Sequence, residues 1–216
     1  MPRDSREIPT LRMPYDDVPI LHASAGVQRI LALAYLLVWA WREHLSLSSL
    51  VRKAPQRRVV LIMDEVEAHL HPRWQRVIVP ALMSTISELA SAVSPQIHLA
   101  THSPMIMASA ETVFDERSDD LHHLKLCGND VKLEELPFQK RGKADLWLIS
   151  EVFGLGQARS LPAEQAIEEA KTIQLTSRPD PENIKQIHQQ LVRHLAGDDE
   201  FWPRWTFFAK EHGVRI

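Results

Sequence analysis

The sequence predicts an α/β domain, a parallel sheet flanked by helices, followed by a helical carboxyl-terminal appendage. Three observations carry this. Residues 59–63 are an uninterrupted apolar run that stops at Asp64 and Glu65, residues 96–101 form a second short run that stops at His102, Ser103 and Pro104, and a helical pattern lies between them. Strand, helix and strand of these lengths make a right-handed crossover, so the two strands should lie parallel and side by side. Asp64, Glu65 and His102 are then expected at one carboxyl edge of the sheet, where open parallel sheets bind ligands.

At 216 residues the chain is long enough for one domain, or one domain with a small appendage, around a sizeable core. Apolar residues at 44% and charged residues at 25% are ordinary for a soluble globular protein. A net charge of -3 gives no general electrostatic case for nucleic acid or a membrane, and the basic pairs Arg52-Lys53 and Arg57-Arg58 read as a solvated loop. The single cysteine, Cys127, excludes an internal disulfide and fits a reducing cytoplasm. No charged-then-apolar leader opens the chain, and the longest apolar run, residues 30–41, falls short of a membrane span. The expectation is a cytoplasmic protein with no membrane partner.

Residues 1–20 hold Pro2, Pro9, Pro14 and Pro19 with no sustained period and read as an extended arm. From Ser24 the pattern changes: Ile30, Leu33, Ala34, Leu37, Val38 and Trp41 recur at helical steps with apolar residues between them, predicting a helix buried on most of its circumference and ending near His44. After a polar loop, the run 59–63 is apolar at every position and predicts a strand buried on both faces. The helix that follows carries Trp74, Val77, Ile78, Ala81, Leu82 and Leu89 on one side, with Pro72 suited to its first turn and Pro80 expected to kink it. Pro95 separates that helix from the second strand.

Residues 111–114 predict a further short strand, and residues 121–126 and 131–136 flank Cys127-Gly128-Asn129-Asp130 as a β-hairpin. Helices are expected over 144–153, stopped by Gly154, over 162–175, and over 181–196, stopped by Gly197. The tail concentrates Phe201, Trp202, Trp205, Phe207 and Phe208, enough aromatic surface to require a partner face, most simply the core of the appendage. The predicted organisation is an arm at 1–20, a sheet domain at 21–137 and a helical appendage at 138–216.

Two places carry chemistry. A strand that delivers two carboxylates to a sheet edge offers an oxygen ligand for a hard cation and a base for a water nucleophile. The start of the long helix brings Ser24, Gly26, Gln28 and Arg29 to a helix amino end, where free N–H groups and the dipole favour an anion; an ordinary serine N-cap accounts for Ser24 equally.

These signals in this order, a Ser-x-Gly-x-Gln helix start, an apolar strand ending in Asp64-Glu65 and a strand ending in Thr101-His102-Ser103-Pro104, resemble the carboxyl-terminal half of an ABC-type ATPase head. The wording from Asp64 to Pro72, with Ala100 to Pro104, looks more particularly like the OLD-like and related AAA ATPases of bacterial defence systems. The resemblance implies a partial P-loop NTPase fold and an ATP hydrolase. It assigns Asp64 to Mg2+, Glu65 as general base, His102 as the switch histidine on the γ-phosphate, and Ser24, Gly26 and Gln28 to a signature motif that caps the nucleotide of an opposing subunit. It implies ATP and Mg2+ as ligands, a head-to-head dimer, and a nuclease or other effector as partner, with nucleic acid entering only by analogy. The signature departs from Ser-Gly-Gly-Gln, since Ala25 replaces the first glycine and Gln28 stands one place late. His71 stands where the family's D-loop aspartate would lie.

The other half of such a site is missing. No Gly-x-x-x-x-Gly-Lys-Ser/Thr occurs in the sequence; at Gly142-Lys143, Pro137 stands at the first glycine and Ala144 at the hydroxyl. The expectation is an incomplete sheet with an exposed edge, and an ATPase half that turns over ATP only when a Walker A-bearing polypeptide completes it. The alternative is a non-catalytic interaction module that keeps an ATPase-like sheet. A metal hydrolase built on Glu67, His69, His71, His122, His123 and Cys127 fits poorly, because no closed ligand set is present.

Overall fold

A computed structural model describes residues 8–14, 16–89 and 94–216, and the chain divides into two units at Trp147/Leu148. The predicted arm falls partly outside the described residues, at 1–7 and 15. Its remainder is a small antiparallel hairpin of β1 (Thr10–Arg12) and β2 (Asp17–Pro19), followed by a 3-10 turn at Ile20–His22.

The first unit is built on the predicted pair of strands. β3 (Arg58–Asp64) and β4 (Ser94–Ala100) run parallel, with Val60 opposite Gln96 and Asp64 opposite Ala100. Pro95 lies inside β4, opposite Val59; with no third strand paired to this sheet among the described residues, β4 is an edge strand, where a missing N–H is tolerated. β3 is covered on one face only. Leu61 and Met63 point into a core with Val66, Leu70, Ile78, Leu82, Leu99 and Ile106, whereas Val60 and Ile62 are 56% and 78% exposed. The expectation of burial on both faces is therefore corrected. The run is apolar on both faces, but helices cover only the odd-numbered side.

α1 (Ala25–Leu50) is longer than predicted and far less enclosed. Ile30, Leu33 and Leu37 pack on the core beside β3, while Tyr35, Leu36, Trp39 and Leu47 are exposed. At 26 residues it is long and apolar enough to cross a membrane by length and composition, which the apolar run 30–41 alone does not indicate. The helix continues through Arg42, Glu43 and His44 because residues 42–50 keep good helix formers and no breaker.

Between the strands, the predicted kinked helix is two helices. α2 (Pro72–Gln75) starts at Pro72 behind His71, whose Nδ1 accepts from the Arg73 N–H at 3.2 Å. α3 (Ile78–Leu89) follows after a turn, with Pro80 in its first turn. A proline cannot donate to the carbonyl four residues back, so the helix restarts just ahead of it instead of bending around it. Leu89 closes α3, and its side chain lies outside the described residues.

α4 (Pro104–Ala110) follows β4, and residues 111–113 form a turn, not the expected strand. The Glu111 carboxylate explains the turn: it accepts from the backbone N–H groups of Arg141 (2.7 Å) and Gly142 (3.1 Å) and from Trp147 Nε1–H (2.7 Å). β5 (Leu121–Cys127) and β6 (Asp130–Leu136) make the predicted hairpin, with Gly128 at φ 66° in the first of its two turn positions. α5 (Ala144–Leu148) is shorter than the predicted 144–153, which continues as turns up to Gly154.

The second unit holds α6 (Leu161–Gln174), α7 (Pro181–His194) and α8 (Trp202–Glu211) around its own core of Ala166, Ile167, Ala170, Ile184, Leu191, Trp205 and Phe208. The aromatic tail is thus core: Phe201, Trp205 and Phe208 are buried, and only Phe207 of the cluster is largely exposed. Arg159 clamps the loop before α8 through Asp199 at 2.9 Å, and this pair lowers the Asp199 carboxyl and raises the Arg159 guanidinium from their ordinary values.

Candidate functional site

The carboxyl edge of β3 and β4 gathers part of the predicted set. Asp64 is the last residue of β3, exposed on the uncovered face it shares with Val60 and Ile62. Glu65 follows in the left-handed region at φ 48°, an uncommon position for a residue with a side chain. Both of its backbone polar groups are held: the N–H donates to Ala100 O at 3.0 Å, and the carbonyl accepts from Arg29 Nη2 at 2.7 Å. The turned backbone brings Glu65 Oε1 within 3.4 Å of His102 Nδ1, with both side chains accessible, 53% and 74% exposed. An accessible carboxylate and an imidazole on adjacent strand ends can share a proton, take one from water, or bind an anion beside a cation.

The helix-start residues have structural work of their own. Ser24 caps α1, its Oγ accepting from the Val27 N–H at 3.4 Å. Gly26 is buried against the loop after β3: a Cβ there would stand 2.7 Å from the His69 carbonyl oxygen and 3.2 Å from the Trp74 ring. Gln28 donates its amide to the carbonyls of Ala23 (3.0 Å) and Leu21 (3.2 Å), tying down the turn that precedes α1. These residues border an open depression of about 740 Å³ lined by Ser24, Ala25, Gly26, His69, Leu70, His71, Arg73 and Trp74. Its lining does not include Asp64, Glu65 or His102, so this depression and the Glu65–His102 pair are separate features.

Among the described residues no group of three or more His, Cys, Asp or Glu side chains could hold a metal ion. Mg2+ asks less of a protein, since one or two carboxylates suffice when phosphates and waters complete the shell, and Asp64 fits as such a ligand. The triphosphate itself finds no cradle in the Gly142-Lys143 segment. The N–H groups of Arg141 and Gly142 already donate to Glu111, so this small anion nest is filled by the chain's own carboxylate.

The contacts among four residues on this rim escaped the sequence reading, which named Glu67 only as a metal-ligand candidate, Thr101 and Ser103 only within a motif, and Gln75 not at all. Glu67, only 5% exposed, accepts from the Thr101 hydroxyl at 2.5 Å and the His102 N–H at 3.3 Å. Ser103 Oγ donates to Gln75 Oε1 at 2.9 Å. The available signal was the pairing of a third acid, two residues past Glu65, with hydroxyls on either side of His102; nothing in linear order says that they meet.

Residues 14–107 match the family model described as AAA ATPase domain. The Retron Ec83 probable ATPase of Escherichia coli is 28% identical over 145 residues, 65% of this chain and 23% of that protein. The Retron Vc95 probable ATPase of Vibrio cholerae serotype O1 biovar El Tor is 36% identical over 50 residues, 23% of this chain and 9% of that protein. The chain therefore spans less than a quarter of the length of the curated relatives it matches. No solved structure matches it. These similarities support an AAA-type ATPase domain, and the small parallel sheet with its helices is consistent with a P-loop ATPase-like fold.

Proposed function

We propose that this chain supplies the rim half of an ATP-hydrolysing site of the ABC-type, OLD-like kind, and that a Walker A-bearing polypeptide completes it. The observation that carries the reading is the 3.4 Å approach of Glu65 Oε1 and His102 Nδ1 at the ends of adjacent parallel strands. The match to an AAA ATPase domain and the names of the retron ATPase relatives support it.

Asp64, exposed at the end of β3, is the Mg2+ ligand in this reading. Mg2+ when bound would offset the charge on the phosphates. Glu65 orients and deprotonates the attacking water, which its accessible carboxylate can reach. His102 binds the γ-phosphate through its imidazole and, lying against Glu65, links phosphate contact to the base. The α1 start contributes the exposed Ser24 to the nucleotide of an opposing copy, giving a homodimer; Gly26 and Gln28 act indirectly, by seating α1 against residue 69 and by fixing the turn before α1. The uncovered Val60 and Ile62 face of β3 favours cover by further polypeptide, and the two-stranded β3–β4 sheet, unpaired at its edges among the described residues, favours extension by further strands. A cytoplasmic setting, a nuclease or other effector partner and a role in phage defence belong to the same reading.

The test is ATP turnover. The chain alone should show none; an assembly with a phosphate-loop polypeptide should hydrolyse ATP, and Glu65→Gln should lower its rate by about 10²- to 10⁴-fold. Full activity in that variant would remove Glu65 from the mechanism. The second reading, a non-catalytic interaction module, is favoured by the exposed apolar surface of α1 and β3. It predicts that partner binding leaves nucleotide affinity absent.

A further inference from the structure

Beside the exposed pair, the rim contains one carboxylate that the proposed mechanism does not use. Glu67 is buried, and a buried carboxylate needs donors. One oxygen, Oε1, takes two of them, from the Thr101 hydroxyl and the His102 backbone N–H. Thr101 Oγ1 in turn accepts from the Ser103 N–H at 3.0 Å, so residues 101–103 all hang on this one oxygen. A second tie runs from Ser103 Oγ to Gln75, whose Nε2 donates to Leu70 O at 3.0 Å. Every acceptor and relay opposite residues 101–103 belongs to residues 65–75. The turn after β4 is thereby fastened to the segment after β3 by side chains, where the strand ladder has ended.

Glu67 is too enclosed to meet a water nucleophile as base. Its other oxygen, Oε2, is buried and makes no hydrogen bond among the described residues. We propose that Glu67 is a positioning residue: through the Thr101 hydroxyl and the His102 amide it sets the imidazole against Glu65, so that base and switch histidine shift together. The functional meaning rests on the ATPase reading above, but the coupling is a property of this chain alone. Because one oxygen carries both bonds, an amide that keeps that oxygen keeps the hold. The negative charge is dispensable to it.

Hydrogen exchange followed by NMR on the 216-residue chain tests this directly. Glu67→Ala should speed exchange of the His102 amide by about tenfold or more, the scale of losing a hydrogen bond to a charged acceptor, while Glu67→Gln should stay within about threefold of the parent. Thr101→Val removes the hydroxyl from the other side and should speed exchange at Ser103 if Glu67→Ala does not fold. In the assembly that turns over ATP, Glu67→Ala should lower kcat by about ten- to a hundredfold with KM unchanged, and Glu67→Gln should restore it. Unaltered His102 exchange in Glu67→Ala overturns the proposal. So does a Glu67→Gln variant that keeps the exchange protection but loses turnover as fully as Glu67→Ala, since the charge would then act directly. Absence of turnover in the parent assembly would count against the ATPase reading, and the exchange result would still decide the role of Glu67.

Discussion

Gly26 shows how a residue that reads as a ligand contact is also a packing requirement. In a helix, alanine is favoured over glycine by about 1 kcal/mol. Here the added methyl would meet the His69 carbonyl at 2.7 Å, and a backbone atom cannot swing aside. Packing should win, so Gly26→Ala is expected to destabilise the first unit by about 1–3 kcal/mol in urea unfolding. Glu65 is the complementary case. Its left-handed backbone costs about 1–3 kcal/mol and persists because Ala100 and Arg29 hold both of its polar groups. Asp64, Glu65 and His102 were legible as a set because each ends an apolar run. The contacts of Glu67 and Arg29 were not, because their partners are other residues' backbone and hydroxyl groups, brought close only by folding.

At the scale of elements, β3 tests the difference between an apolar residue and a buried one. Ile62 and Met63 are adjacent and both apolar, yet Ile62 faces outward and Met63 lies in the core. Ile62→Thr should change stability by no more than about 0.5 kcal/mol, whereas Met63→Ala should cost about 2–5 kcal/mol, both read from urea midpoints of the chain. A large loss at Ile62 would mean that its face is covered. The turn after α4 depends in the same way on one side chain. Glu111→Ala would leave the N–H groups of Arg141 and Gly142 and the Trp147 indole without their acceptor, and should cost about 1–3 kcal/mol while raising amide exchange at 141 and 142. Periodicity foretold the hairpin, α6 and α7, but it overran α5, which ends at Leu148, and it gave no helix over Trp202–Glu211, whose aromatic residues mask its period. It failed at residues 111–113, where a carboxylate reaching across thirty positions sets the backbone, and at Pro80, where one imino acid divides a helix in two.

For the whole chain, one histidine should make the second unit respond to pH. In the second unit, Trp205 Nε1–H donates to His188 Nδ1 at 3.3 Å; an indole can only donate, so Nδ1 must be unprotonated there. Burial lowers the His188 pKa, so the folded unit resists the proton that the unfolded chain accepts. That stability is fully present above about pH 6.5 and declines as pH falls through the lower folded value. Asp199, lowered by Arg159, adds a second loss at pH below the ordinary carboxylate range, near 3.8. Thermal unfolding of residues 148–216 should therefore move to lower temperature from pH 7.5 to pH 5, and His188→Gln should flatten that change. A Tm independent of pH over this interval would contradict the role given to His188.

The sequence alone determined the order of strand, crossover and strand and the acids and imidazole at the strand ends, because apolar runs, breakers and motif spacing are local. Only the tertiary structure decided which face of β3 and α1 is covered, that Gln28 and Gly26 serve the chain's own packing, and that Glu67 bonds the turn after β4 to the segment after β3. Those outcomes depend on which surfaces meet, and a run of apolar residues carries no mark of the side from which its cover arrives.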